Sequence, residues 1–254
     1  MPMPRFAIKI EYDGTTFCGW QRQPAAISVQ GALETALSAF TSENPSVHGA
    51  GRTDAGVHAM GQVAHFDLTK DWDPFRISAA ANFHLKPLPI SILACARVSD
   101  DFHARFSAIM RRYRYRILTR RAPPVLDRDR VWWVPVPLDA ARMREAAQVF
   151  VGNHDFTTFR AAQCQAKSPV KTLDAFTVEQ SGDEIVCNVS ARSFLHNQVR
   201  SMAGSLKLVG DGSWSRDDLA RALAAANRAA CGPVAPAPGL YLEHVSYVGR
   251  NGWI

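Results

Sequence analysis

The stretch Arg111-Arg112-Tyr113-Arg114-Tyr115-Arg116-Ile117-Leu118 alternates between two kinds of side chain. In an extended chain successive side chains point to opposite faces. Arg111, Tyr113, Tyr115 and Ile117 therefore share one face, and Arg112, Arg114 and Arg116 the other. A period of two reads as a strand. One face presents aromatic rings; the other carries positive charge.

Upstream of it the same period recurs. Phe6, Ile8, Ile10 and Tyr12 alternate with Ala7, Lys9 and Glu11, a half-buried strand closed by the turn residues Asp13-Gly14. Ser28 is placed to cap a helix whose apolar positions Val29, Ala32, Leu33, Ala36, Leu37 and Phe40 share one face. Strands are expected at Gln62–Leu68 and Ile90–Val98. Downstream, past Pro123-Pro124, come a short strand near Val131–Val136 and a helix from Asp139 to about Val151, with Gly152 at its C-terminus. Two strands near Leu173–Gln180 and Glu184–Ala191 are joined by Ser181-Gly182-Asp183. A helix is expected over Phe194–Val209. Its buried stripe would be Leu195, Val199, Met202, Leu206 and Val209, and a basic face would hold His196, Arg200 and Lys207. Ser215 and Asp218 form a capping-box pattern for a further helix to about Arg228. The Pro/Gly-rich stretch Gly232–Gly239 leads to a last strand, Leu240–Val248. This order of elements indicates an α+β fold, a largely antiparallel sheet flanked by helices. The expected division is an N-terminal subdomain over 1–107 and a C-terminal one over 108–254.

The chain has 254 residues, enough to bury a substantial core. Apolar residues are 47% and charged residues 20%, the composition of an ordinary globular protein. No apolar run is long enough to span a membrane, and no signal peptide precedes the first strand. The five cysteines are scattered, without a Cys-x-x-Cys pair, so neither a zinc ribbon nor a disulfide framework is indicated. A reducing, cytoplasmic setting fits that usage. The net charge is +6. Between Arg97 and Arg130, ten arginines face only four aspartates, so this window carries the whole excess. Clustered arginine points to a polyanion, most often nucleic acid.

The chemistry-bearing string is Gly51-Arg52-Thr53-Asp54-Ala55-Gly56-Val57-His58-Ala59. Two glycines permit tight turns and close approaches around an acid. Asp54 is the candidate catalyst. Arg52, two positions before it, either orients Asp54 and keeps it ionised or grips a phosphate. Tyr113 is the candidate ring for stacking on a nucleobase. No phosphate-cradling glycine motif or nucleophile elbow is present. His58, His65 and Asp54 match no strong metal-ligand spacing. From the residues alone the chain reads as a basic α+β protein that binds RNA or DNA and holds a loop aspartate in a polar cleft. A non-catalytic RNA-binding module would leave the Arg-Thr-Asp loop unexplained.

A resemblance goes further. The segments Glu11-Tyr12-Asp13-Gly14, Gly19-Trp20-Gln21-Arg22-Gln23, Ser28-Val29-Gln30, the Gly51–Ala59 loop and Gly61-Gln62-Val63-Ala64-His65-Phe66 occur in that order. They are followed by Asp101-Phe102-His103-Ala104-Arg105-Phe106-Ser107-Ala108, Arg112-Tyr113-Arg114-Tyr115, Asp155-Phe156-Thr157-Thr158-Phe159-Arg160, Phe194 to Arg200, and Gly239-Leu240-Tyr241-Leu242. Together they resemble the tRNA pseudouridine synthase A family over nearly the whole chain. The resemblance implies a pseudouridine synthase catalytic fold with two subdomains around a central basic cleft, and a homodimer. It implies isomerisation of uridine to pseudouridine at positions 38, 39 and 40 of the tRNA anticodon stem-loop, without metal or organic cofactor. By motif match Asp54 is the essential aspartate, nucleophile or base. Tyr113 is the stacking tyrosine, Arg200 the active-site arginine, and Leu240 the apolar residue near the target base. Arg52 matches a basic residue beside the catalytic site. Arg112, Arg114, Arg116, His196 and Lys207 are expected on the RNA-facing surface. The stretch His196-Asn197-Gln198 departs from the family's commoner basic/Met pattern.

Overall fold

The computed structural model describes residues 3–249. The chain forms two compact bodies. Residues 3–110 and 242–249 make the first; Arg111–Tyr241 make the second. Residues from Leu242 rejoin the first body, whereas the sequence pattern of elements groups 108–254 together.

In the first body, β1 (Arg5–Tyr12) lies between β3 (His58–Asp67) and β4 (Ile90–Val98), antiparallel to both. Flanked on both edges, β1 buries Phe6, Ala7 and Ile8 in succession, so its alternation is less clean than the sequence suggests. β2 (His48–Gly49) pairs with β3, and β10 (Leu240–Tyr247) follows β3 in the strand order. Two helices pack here. In α1 (Val29–Thr41) the Ser28 side chain accepts from Gly31 N, and Val29, Leu33, Ala36 and Leu37 are buried, as expected. The helix α2 (Pro74–Leu85) is not evident in the apolar pattern. Asp73 caps it and Pro74 opens it, but only Ile77, Ala81 and Leu85 face inward. Phe75 and Phe83 are exposed and blur the stripe.

In the second body the order is β5 (Ala108–Leu118), β9 (Glu184–Ala191), β8 (Val170–Ser181) and β7 (Gly152–Asp155), all antiparallel. The short β6 (Trp132–Trp133) runs parallel to β5. On β5 the alternation holds: Arg111, Tyr113, Tyr115 and Ile117 are buried, and Arg112 is exposed. The helices are α3 (Ala140–Ala147), α4 (Gln198–Gly210) and α5 (Arg216–Ala224). The capping box at Ser215 and Asp218 is formed. The helix expected from Phe194 starts instead at Gln198, because Asn197 takes φ 62° and the Gln198 side chain turns back to accept from Leu195 N. Along α4 the residues Ser201, Ala203, Gly204 and Ser205 are buried beside the apolar stripe. Small side chains let a backbone approach: a Cβ on Gly204 would lie 1.8 Å from the Pro233 carbonyl oxygen.

Candidate active site

The Gly51–Ala59 loop is fixed from three directions. The buried Thr53 hydroxyl is 2.8 Å from the Tyr12 hydroxyl at the end of β1. The Thr53 carbonyl accepts the Trp20 N–H at 2.9 Å, and Gly19 and Asp54 pair as an isolated bridge. Gly19 takes φ +111°, and a Cβ there would lie 2.7 Å from the Thr53 oxygen, so no other residue fits without displacing the loop. From β3, the buried Gln62 amide donates to the Gly51 carbonyl at 2.7 Å. A tight turn follows, with Val57 N donating to the Asp54 carbonyl at 3.1 Å and Gly56 at φ +75°. The result is a half-buried carboxylate on a backbone whose neighbours are held by hydrogen bonds. Such fixation is what a pre-organised acid requires.

The spacing Arg52-Thr53-Asp54 suggests an ion pair. Arg52 is instead exposed and makes no hydrogen bond or ion pair among the described residues. With the backbone turned by the Gly19 bridge, its guanidinium is left to solvent. The imidazoles of His58 and His65 are committed to the fold: Nδ1 of His58 accepts from Gly14 N at 3.0 Å and Nδ1 of His65 from Ala104 N at 3.2 Å. Asp13 Oδ1 also lies 3.2 Å from His58 Nδ1.

In the second body, Tyr113 on β5 is buried and meets Phe194 edge-on, with ring centroids 5.0 Å apart at 87°. Arg200 on α4 is clamped to the segment before β10. Its Nε donates to the Ala235 carbonyl at 2.8 Å, Ala235 N donates in return to the Arg200 carbonyl at 3.0 Å, and Arg200 Nη1 donates to Asn197 Oδ1 at 3.2 Å. The same segment is anchored by Tyr115, whose hydroxyl donates to the Pro236 carbonyl at 2.7 Å. Gly239 lies against the Tyr115 ring so closely that a Cβ would come within 2.7 Å of it. Leu240, buried, follows directly. The Pro/Gly-rich stretch thus seats both Arg200 and Leu240, a role its composition alone does not reveal.

The family model described as tRNA pseudouridine synthase matches residues 8–107 and 146–248. The chain belongs to the tRNA pseudouridine synthase family. Among relatives named tRNA pseudouridine synthase A, one from Cereibacter sphaeroides is 61% identical, covering 96% of this chain and 98% of that protein. One from Azorhizobium caulinodans is 60% identical over 96% of this chain and 95% of its own. One from Paramagnetospirillum magneticum is 55% identical over 98% of each.

Among the basic residues expected to face RNA in a pseudouridine synthase of this family, Arg116 and Lys207 are closed on carboxylates of the protein itself. Arg116 grips Glu184 with both prongs, at 2.6 and 3.1 Å, and lies 3.4 Å from Asp127. The Glu184 carboxylate accordingly raises its pKa above the ordinary guanidinium range. Lys207 donates to Asp211 at 2.6 Å, one helical turn on. The sequence places both on the RNA surface; a cation closed on its own carboxylate is a poor phosphate ligand. Arg112 and His196 are exposed, and Arg114 is half-buried. His196 lies before α4 rather than on its basic face, since the helix begins two residues later. No helix among the described residues is long and apolar enough to cross a membrane.

Proposed function

We propose that this chain isomerises uridine to pseudouridine in the anticodon stem-loop of tRNA, at positions 38, 39 and 40, with Asp54 as the reacting carboxylate. The observation that carries the reading is the immobilised Gly51–Ala59 loop in a chain that belongs to the tRNA pseudouridine synthase family. The reaction breaks the bond from the ribose anomeric carbon to ring nitrogen 1 and joins carbon 5 of the uracil to the same carbon. Cleavage builds positive character at the anomeric carbon, as in glycoside chemistry. An ionised carboxylate captures that centre, or removes a sugar proton. Tyr113 supplies a ring against the uracil, Leu240 an apolar contact, and Arg200 a fixed cation. Arg52, with no partner among the described residues, grips a phosphate of the substrate. The target base leaves its stack to react, at a cost of about a few kcal/mol, offset by arginine contacts to the backbone. The reading includes a homodimer working in the cytoplasm.

The test is Asp54→Asn. The amide keeps the size and the loop's hydrogen bonds but is neither nucleophile nor base. Fold and tRNA affinity stay, and pseudouridine formation in a single turnover disappears. More than a trace of product removes Asp54 from the chemistry.

A further inference from the structure

Residues 99–107 of the first body form a loop tied down at almost every position. Phe102 N donates to the Ser99 carbonyl at 3.0 Å, and Ser107 N to the His103 carbonyl at 2.9 Å. The His103 N–H reaches Ser107 Oγ at 2.9 Å, and His103 Nδ1 accepts from Arg105 N at 3.1 Å and from Phe106 N at 3.4 Å. Ala104 is held at both ends, by His65 Nδ1 and by the Tyr247 hydroxyl at 2.7 Å. Arg5, forked onto Asp67, also donates to the Asp100 and Phe102 carbonyls. Phe102 and Ala104 are buried by this arrangement.

The same loop leaves Phe106 70% exposed. A single exposed apolar residue is ordinary. This ring, however, is the outermost of a group of π surfaces. His103 lies 4.4 Å from it, His65 is 4.6 Å from His103, and His48 is 5.0 Å from His65 and 6.0 Å from His103. The Arg105 guanidinium sits 5.7 Å from the Phe106 centroid. Burial and the neighbouring charges hold His65 at about 4 and push His103 down, so both rings are neutral at physiological pH. An aromatic side chain on a backbone held by hydrogen bonds, backed by neutral rings and in cation–π contact with a guanidinium, is the make-up of a base-stacking platform.

We propose that Phe106, backed by His103 and in cation–π contact with Arg105, is a stacking platform for an unpaired nucleobase of the tRNA substrate, separate from the residues that act on the target uridine. This rests on the functional reading above, which supplies the RNA. A second copy of the chain fits less well, because a symmetric contact would set the two Arg105 guanidinium groups near each other. Asp100 and Asp101 stand earlier in the same loop and are exposed, so the platform engages a base face rather than the phosphate chain.

The test uses the full chain with Phe106→Ala, Phe106→Leu and Phe106→Trp, measuring tRNA affinity by filter binding and the initial rate of pseudouridine formation. Ala and Leu raise the Kd about tenfold. Trp, which keeps a π face, stays within about twofold. The dependence of log Kd on log salt keeps its slope, since the ring neutralises no phosphate. Leu rescuing as well as Trp would show that apolar area suffices and overturn the stacking assignment. So would an unchanged Kd in all three. A shift in oligomeric state of Phe106→Ala by sedimentation equilibrium would give the ring to a second copy instead, and also overturn it. A wild-type chain that forms no pseudouridine would sink the functional reading, and this is seen before any variant is compared.

Discussion

At the residue scale, burial decides what several titratable groups do. His65 is the clearest case. Desolvation, and then His103 and His48, lower its pKa from 6.5 to about 4. The unfolded chain therefore takes up a proton at this histidine near pH 6.5, while the folded chain resists until about 4. Between those values the unfolded state binds more protons, so stability falls as pH falls. The contribution is complete above the unfolded pKa and gone below the folded one. His103, lowered in the same direction, adds to the slope. His65→Gln keeps an acceptor for Ala104 N but does not titrate. Its urea midpoint, compared with wild type near neutrality and at successive steps down to about pH 4, is expected to vary less with pH. Parallel pH curves for the two proteins would refute the linkage. The sequence discloses His65 only as a member of a motif. That its Nδ1 supports the 99–107 loop depends on pairing across β2 and β3, which no local pattern encodes. Asp54 is legible for the opposite reason. Its glycines, arginine and threonine are contiguous, so the chemistry and the turn are written in one string. Even there, the ion pair inferred from the spacing to Arg52 does not form, because the backbone between them is steered by Gly19 and Tyr12 from elsewhere in the chain.

At the scale of elements, α4 sets helix propensity against packing. Replacing an interior helix glycine by alanine ordinarily gains about 1 kcal/mol. At Gly204 the new methyl would meet the Pro233 carbonyl at 1.8 Å, and that oxygen is backbone, which cannot swing aside. Overpacking of this kind costs about 1–3 kcal/mol, so the net sign is destabilising. Gly204→Ala is expected to lower the denaturant midpoint and to loosen the Arg200–Ala235 clamp next to it, reducing isomerisation more than stability alone explains. A raised midpoint would mean that propensity wins and that the 233–235 segment yields. Elements with capping residues and a single apolar stripe, such as α1 and α5, are readable because both signals are local. α2 escapes the apolar pattern despite Asp73 and Pro74 at its start, since its exposed Phe75 and Phe83 break the stripe. The apolar period sets the start of α4 too early, because Leu195 extends it into a segment that the left-handed Asn197 interrupts.

For the whole molecule, the excess charge is concentrated between Arg97 and Arg130, but its members are not equivalent. Arg97 pairs with Asp71, Arg111 donates to the Arg192 carbonyl, and Arg116 closes on Glu184. Arg121 and Arg128 are exposed and have no partner among the described residues. Net charge read from sequence counts all of these alike; only the folded chain separates cations that hold the protein from cations available to a polyanion. The consequence is a double dissociation. Reversing Arg121 and Arg128 to Glu is expected to weaken tRNA binding and to reduce the slope of log K against log salt by up to about 0.7–0.9 for each phosphate no longer neutralised, with the denaturant midpoint unchanged. Reversing Arg116 is expected to do the converse in stability: it places a carboxylate beside Glu184 and Asp127, where like charges repel, and lowers the midpoint. Both variants carry fewer positive charges, so a purely global effect of net charge would weaken binding equally per charge removed and leave both midpoints alone. Salt titrations of tRNA affinity beside urea melts of the same preparations decide between the two, and equal salt slopes in wild type and the Arg121/Arg128 variant would show that these arginines lie off the RNA path.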